Sequence, residues 1–285
     1  MGMIKILADS TCDLSEELLK KYDITLIPLC VTMGDMTYQD GVNITPEDIY
    51  EWSEKENSTP KTAAPVLNDV IDILKPYTDQ NMEIIFFGIS EEMSSTCNVL
   101  RLAADFLEYD KIHIINSKNL STGIGLQILK AATMAKEGIN AGEIVEYITN
   151  SMQERVKASF VVDTLTYLHR GGRCSSVAAL IGNAFHLKPM IIVKNGKMGV
   201  GKKYRGSTKK VLLNYVNDLK PELLEADNER VFLTHSGCDK EIVNMLYEFL
   251  KELNIFREIL VTRAGSVISS HCGPQTLGVL YVSKH

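Results

Sequence analysis

The sequence predicts an α/β protein in two parts. Residues 1–158 read as a parallel-sheet α/β domain and residues 159–285 as an α+β domain with a largely antiparallel sheet. Three observations carry this. Up to about residue 156, short β-branched or aromatic runs alternate with amphipathic stretches of helical length, the pattern of a parallel sheet covered on both faces. Beyond it, Asn195-Gly196 joins two extended runs and hairpins mix with helices, as an antiparallel sheet requires. Finally, 285 residues suit two domains of ordinary size, and no low-complexity linker, repeat or heptad separates them, so the two are expected to pack together.

Taken in order, Met3 to Ala8 is a first strand. It ends in the polar loop Asp9-Ser10-Thr11-Cys12-Asp13, at the carboxyl end of a strand where open α/β sheets hold ligands, and an amphipathic helix follows from Glu16. Ile24 to Val31 reads as a second strand and 32–42 as a hairpin excursion. Thr45-Pro46-Glu47-Asp48 opens a helix with Pro at its first position. Ser58 to Pro65, with two prolines and no apolar period, reads as a loop that delivers Thr62. A helix over 66–77 and a buried strand over 83–88 come next. Ser90 to Asn98 then forms a hydroxyl-rich entry into a helix reaching Leu107.

That junction places main-chain N–H groups and hydroxyls where a helix dipole favours an anion, though ordinary capping uses the same residues. Lys111 to Ile115 is a further strand, and helices follow over 121–136 and 141–156. Gly123-x-Gly125 lacks the third glycine of a dinucleotide fingerprint.

In the second half, strand 159–162 leads to Asp163 at an N-cap position, one helical turn through Leu168, and a stop at Gly171-Gly172 with Arg173 just beyond. A hairpin over 189–204 follows, then helix 207–219, strand 230–234, helix 239–252 and strands 256–262 and 276–283. His271 falls in a loop before the Gly273-Pro274 turn. Arg173 and Arg205 are placed to meet an anion, and are equally what a solvated surface carries. His235, Ser236 and Asp239 lack the G-x-S-x-G elbow of a hydrolase.

A formal charge of -6 argues against nonspecific nucleic-acid binding, which rests on clustered cations. No apolar run is long enough to span a bilayer, and the Met1-Gly2-Met3-Ile4-Lys5 start has neither signal-peptide design nor the Ser or Thr of an acylation motif. The six cysteines lie scattered without CxxC pairing, which points to reduced, buried residues rather than disulfides or zinc ligands. The expectation is a cytoplasmic protein with no metal, no cofactor, no nucleic-acid partner and no stable membrane insertion, transient contact with a membrane surface being left open.

Asp9-Ser10-Thr11, Thr62-x-x-Pro65, Ser94-Ser95-Thr96, Gly171-Gly172-Arg173, Lys188-Pro189, Arg205-Gly206 and His271-x-Gly273-Pro274 together resemble the DegV family of bacterial fatty-acid-binding proteins, in order and spacing over essentially the whole chain. The resemblance implies a two-domain fold enclosing one long-chain fatty acid in an apolar tunnel. It also implies a non-catalytic subunit that presents the carboxylate to a separate ATP-dependent fatty acid kinase subunit, which makes acyl phosphate. By position, Thr62, Ser94, the Ser95 N–H and His271 match the groups that hold the carboxylate. Arg173 matches an arginine associated with partner docking or the phosphorylated head group, and Arg205 joins it as a partner or phosphate contact. Three departures stand out: Ala63-Ala64 where the family often has Ser-Gln, Ser95 where it often has Gly, and Gln275 where Gly usually follows the proline. The alternative reading is a hydrolase or transferase for a small anionic metabolite, with His271 as general base and the Ser94 region as anion hole.

Overall fold

The computed structural model of the chain describes residues 3–183 and 187–285. Met1 and Gly2, to which the expectations about the start of the chain apply, lie outside the described residues. The first half contains β1 (Ile4–Asp9), α1 (Glu16–Tyr22), β2 (Ile24–Ile27), β3 (Cys30–Met33), β4 (Met36–Gln39), α2 (Pro46–Glu56), β5 (Lys61–Ala63) and α3 (Leu67–Thr78). It continues with β6 (Glu83–Gly88), α4 (Thr96–Phe106), β7 (Ile112–Asn116), α5 (Thr122–Lys136) and α6 (Ala141–Tyr147). The second half runs through β8 (Val156–Val161), α7 (Thr166–Gly171), β9 (Leu187–Lys194), β10 (Lys197–Arg205), α8 (Thr208–Leu224) and β11 (Ala226–Ser236). It closes with α9 (Lys240–Glu252), β12 (Glu258–Arg263), α10 (Ser266–Cys272) and β13 (Thr276–Ser283).

Three sheets result, and the α/β class stands. A four-stranded sheet, β2-β1-β6-β7, is parallel throughout. A six-stranded sheet, β10-β9-β8-β13-β11-β12, is antiparallel except where β11 pairs with β12. A small antiparallel sheet, β4-β3-β5, carries Thr62. Strand β6 shows why the first sheet is buried on both sides: Ile85 and Phe87 join one apolar cluster and Ile84 and Phe86 another, as a period of two dictates. Helix α5 is apolar on nearly every side, with Ile124, Leu126, Ile128 and Leu129 all buried. Its cluster continues into Ile6 and Ile85 of the parallel sheet and Phe160, Phe232 and Leu280 of the antiparallel one. A helix of that composition can only be an interior one.

Several expectations need correction. The strand expected over 24–31 is two strands in different sheets: Pro28, with fixed φ and no N–H, ends β2, and the chain re-enters as β3. The segment read as a loop around Thr62 contains β5, whose pairing with β3 (Thr62 opposite Val31) supplies the order that its composition does not announce. The helix expected over 141–156 is α-helical only to Tyr147, then passes through a wider π turn and a tight 3-10 turn before β8 begins at Val156. Asp163 does not cap α7, whose cap position is Leu165; it accepts hydrogen bonds from Lys188 Nζ and from Thr208 Oγ1 (2.7 Å). His271 lies not in a loop but in the last turn of α10, a helix whose serines hide its period; the Ser270 hydroxyl turns back onto the Ser266 carbonyl (2.8 Å).

The hairpin turn at Asn195-Gly196 is as expected, with φ of 52° and 79°, values that favour Asn and Gly. Helix α2 carries the predicted Pro46 and a reciprocal cap between Thr45 and Asp48. All six cysteines are buried and free. Among the described residues no helix is long and apolar enough to cross a membrane, and no group of three His, Cys, Asp or Glu residues is placed to hold a metal ion.

Candidate functional site

Five of the six candidate residues converge on one cavity. Its volume is about 330 Å³, within the usual range for small-molecule sites. Thr62, Ser94, Ser95, Arg173 and His271 line it, together with an apolar wall that includes Leu29, Met93, Phe160, Leu168, Met198 and Leu280. Those residues come from the ends of both large sheets, from the small sheet and from α7 and α10. Arg205 is not among them: it ends β10 on the exposed surface.

The loop after β6 brings in the serines. Its first residue is tied down by Asp9, whose Oδ2 accepts from the Ile89 N–H at 2.7 Å. The Ser90 hydroxyl donates to the Gly196 carbonyl (2.7 Å), joining this loop to the β9–β10 turn. Helix α4 has Ser95 at its cap position with no side-chain cap, and just beside it Ser94 Oγ lies 2.9 Å from Thr96 Oγ1. The helix start is thus uncapped by the Ser95 side chain, and in the Ser94–Thr96 pair one hydroxyl hydrogen is left to donate elsewhere.

His271 brings α10 to the same cavity. Its Nε2 lies 2.7 Å from Thr62 Oγ1, while Nδ1 is buried with no hydrogen-bond partner. Burial, and secondarily the charge of Arg173, push the imidazole down to about 4, so the ring is neutral at physiological pH. With no acceptor at Nδ1, the tautomer carrying its proton on Nε2 is favoured. Thr62 Oγ1 then accepts from the ring, and its own hydroxyl hydrogen is free for a ligand. Nδ1 is sealed because the ring lies against Gly171, where a Cβ would come within 2.3 Å of Nδ1. Gly171 thus serves a close approach, and Gly172, at φ 67°, provides the left-handed helix stop.

Arg173 is the sole Lys or Arg among the described lining residues, and its Nη1 donates to the Gly171 carbonyl at 2.9 Å. The cavity is thus largely apolar, carries several neutral hydroxyl groups, and has one arginine among its described lining residues. It can hold an amphiphile by its tail and orient an anionic head. His235 and Ser236 also line the cavity, but the Ser236 hydroxyl is committed to the Gly273 carbonyl (2.5 Å) and His235 Nδ1 accepts from the Cys238 N–H, so they form no nucleophile–base pair.

A sequence profile described as that of uncharacterised DegV-family proteins matches residues 3–284. The chain belongs to the DegV family. A DegV domain-containing protein of Clostridium perfringens is 34% identical over 297 residues, covering all of both chains. One from Caldanaerobacter subterraneus is 33% identical over 290 residues, again covering both completely. Among solved structures, a DegV-family protein from Thermus thermophilus described by its fatty-acid binding superposes with a TM-score of 0.90 at 26% identity, over 99% of this chain and 100% of that one. A stearic-acid-binding protein from Eubacterium ventriosum gives 0.83 at 27% identity over 99% of each chain.

Within this DegV chain, some motifs serve the cavity from behind. Asp9 anchors the Ser94 loop, and Lys188 pairs with Asp163 instead of facing a ligand. Gln275 departs from the usual glycine yet still adopts φ 59°, so the turn after Pro274 keeps a left-handed residue. Sequence reading missed Gly171 as a packing partner of His271. It also missed Ser121 as a cavity wall and the apolar lining, because each depends on neighbours remote in the chain.

Proposed function

We propose that this chain binds a long-chain fatty acid in the cavity between two domains divided near residue 158, with its carboxylate toward Thr62, Ser94, the Ser95 N–H and His271. The observation that carries the reading is a largely apolar cavity whose lining includes Thr62, Ser94, Ser95 and His271 from separate segments, with Thr62 and His271 in contact. The likeness to fatty-acid-binding structures at 26% and 27% identity supports it. Each buried methylene contributes about 0.8 kcal/mol, so the tail supplies most of the affinity and the hydroxyls fix its orientation.

Organic-solvent extraction of the purified protein followed by mass spectrometry tests this. Recovery of a long-chain acid that exchanges with added lipid is expected; a polar metabolite in its place would reject the reading. The combined Thr62→Ala and Ser94→Ala variant is expected to stay folded and to lose at least about tenfold in affinity, since each charge-assisted bond contributes roughly 1.5–3 kcal/mol. An unchanged titration with a fluorescent long-chain acid would remove those hydroxyls from the site.

The chain is further proposed to be non-catalytic and to present the carboxylate to a separate ATP-dependent kinase subunit that makes acyl phosphate, with Arg173 at the rim and Arg205 on the surface as contacts. The exposed position of both arginines supports this. Arg173→Ala is expected to spare lipid binding and to slow phosphorylation by a cognate kinase; equal turnover in a reconstituted assay would refute the role. A hydrolase using His271 as general base is disfavoured, because an imidazole held down to about 4 is a poor base near neutrality and no carboxylate orients its Nδ1.

A further inference from the structure

Three carboxyl groups are buried behind the cavity: Asp13 and Asp40 hold the start of α10, and Asp9 holds Ile89 at the start of the loop after β6. Asp13 does two things at once. Its Oδ1 accepts from the N–H of Gly265, the residue capping α10, at 2.8 Å, and its Oδ2 accepts from the Ser121 hydroxyl. Asp40 Oδ1 takes the next amide, that of Ser266, at 2.7 Å. Ser121 lines the cavity with φ 50° and ψ -144°, a conformation that non-glycine residues adopt only where their surroundings over-determine it. The Asp13 bond is its side-chain constraint.

Helix α10 links one end of this arrangement to the other. The Ser270 hydroxyl bonds back to the Ser266 carbonyl, and the Gly273 N–H to the Ser269 carbonyl at 2.9 Å, so the seven residues move as one piece. His271 sits in its last turn, against Thr62. A shift at Gly265 is therefore carried to the imidazole.

We propose that Asp13 is a positioning residue of the cavity, setting the place of His271 through α10 and the shape of the wall through Ser121. The ligand in question is the fatty acid of the reading above, on which this inference rests. Asp9 and Asp40 face Asp13 from β1 and from the turn after β4, and the buried thiols of Cys12 and Cys272 lie beside it. Burial first, and these carboxyls second, push Asp13 up to about 8. The group is thus neutral below that pH and charged above it. An anionic guest then meets added negative charge, and its affinity falls as pH rises through about 8.

The test is titration of the intact protein with a fluorescent C18 polyene acid between about pH 6.5 and 9, alongside thermal melts. Wild type is expected to lose several-fold in affinity across that range. Asp13→Asn keeps an acceptor for Gly265 and presents an amide N–H to Ser121, whose hydroxyl can turn to accept; it is expected to bind within about twofold of wild type at the low-pH end and to show a flat profile. Asp13→Ala, at a temperature where its melt shows it folded, is expected to lose about tenfold. A folded Asp13→Ala variant with wild-type affinity, or an Asp13→Asn variant that reproduces the wild-type slope, would overturn the proposal. Should Asp13→Ala not fold, the Asp13→Asn profile decides.

The His271 imidazole resonance, followed by NMR without lipid, separates this inference from the reading beneath it. A step near pH 8 in wild type and none in Asp13→Asn sustains the positioning role even if no fatty acid binds, and a flat resonance in wild type rejects it.

Discussion

Ala264→Phe is expected to lower affinity for a long-chain acid by roughly a hundredfold while the protein remains folded. Ala264 lines the cavity and is almost wholly buried, with its N–H donating to the His235 carbonyl at 2.9 Å, so backbone movement cannot readily swing a larger side chain out. A phenyl ring occupies the room of about four methylenes, each contributing about 0.8 kcal/mol when buried, and the loss comes to about 3 kcal/mol. That corresponds to about two powers of ten in Kd. Filling an existing space also avoids much of the roughly 1–3 kcal/mol that overpacking a tight core costs. Competition titrations over a series of chain lengths check this. The variant should discriminate most strongly against the longest acids, and equal affinity for all lengths would show that the tail runs elsewhere.

Gly171→Ala should break the head-group end. The added Cβ would lie 2.3 Å from His271 Nδ1 and 3.1 Å from its Cε1, so the ring must leave its place and with it the 2.7 Å contact to Thr62. An affinity loss of at least about tenfold is expected, with a stability loss of about 1–3 kcal/mol from the misfit. Gly172→Ala is the matched control. No atom crowds that position, so its cost is the left-handed backbone alone, about 1 kcal/mol of stability with affinity preserved. Thermal melts and fatty-acid titrations on the pair check both numbers. Equal affinities for the two variants would mean that the imidazole does not contact the head group.

Much of the fold was legible because apolar runs announce buried strands. The span 83–88 is β6, carried by the unbroken run Ile84-Ile85-Phe86-Phe87, and 276–283 is β13, rich in Val, Tyr and Leu, residues that suit a buried strand. The α10 helix was not legible, since Ser266, Ser269 and Ser270 look like loop residues until burial and their carbonyl partners are seen. Nor was β5, three residues flanked by prolines whose conformation comes from pairing with β3. Asp163 looked like a cap on local grounds, and lost that role to Lys188 and Thr208, partners the local pattern cannot reveal. At the site, the hydroxyls and His271 stood out only through the combined motif pattern. Gly171-Gly172 was read as a helix stop, which accounts for Gly172 and leaves the need for Gly171 to be explained by a ring brought in from α10.

The all-round burial of α5 carries a dynamic consequence. Its side chains belong to the same apolar cluster as residues of both large sheets, so hinging the molecule apart would strip one flank of that helix of its cover. At about 25 cal/mol per Å², exposing even about 400 Å² costs about 10 kcal/mol, as much as the whole folding free energy of a typical domain. Wide opening is therefore a costly route for a guest, and the exchange rate of a bound fatty acid is expected to follow local yielding at the cavity lining rather than any wide swing of one half against the other.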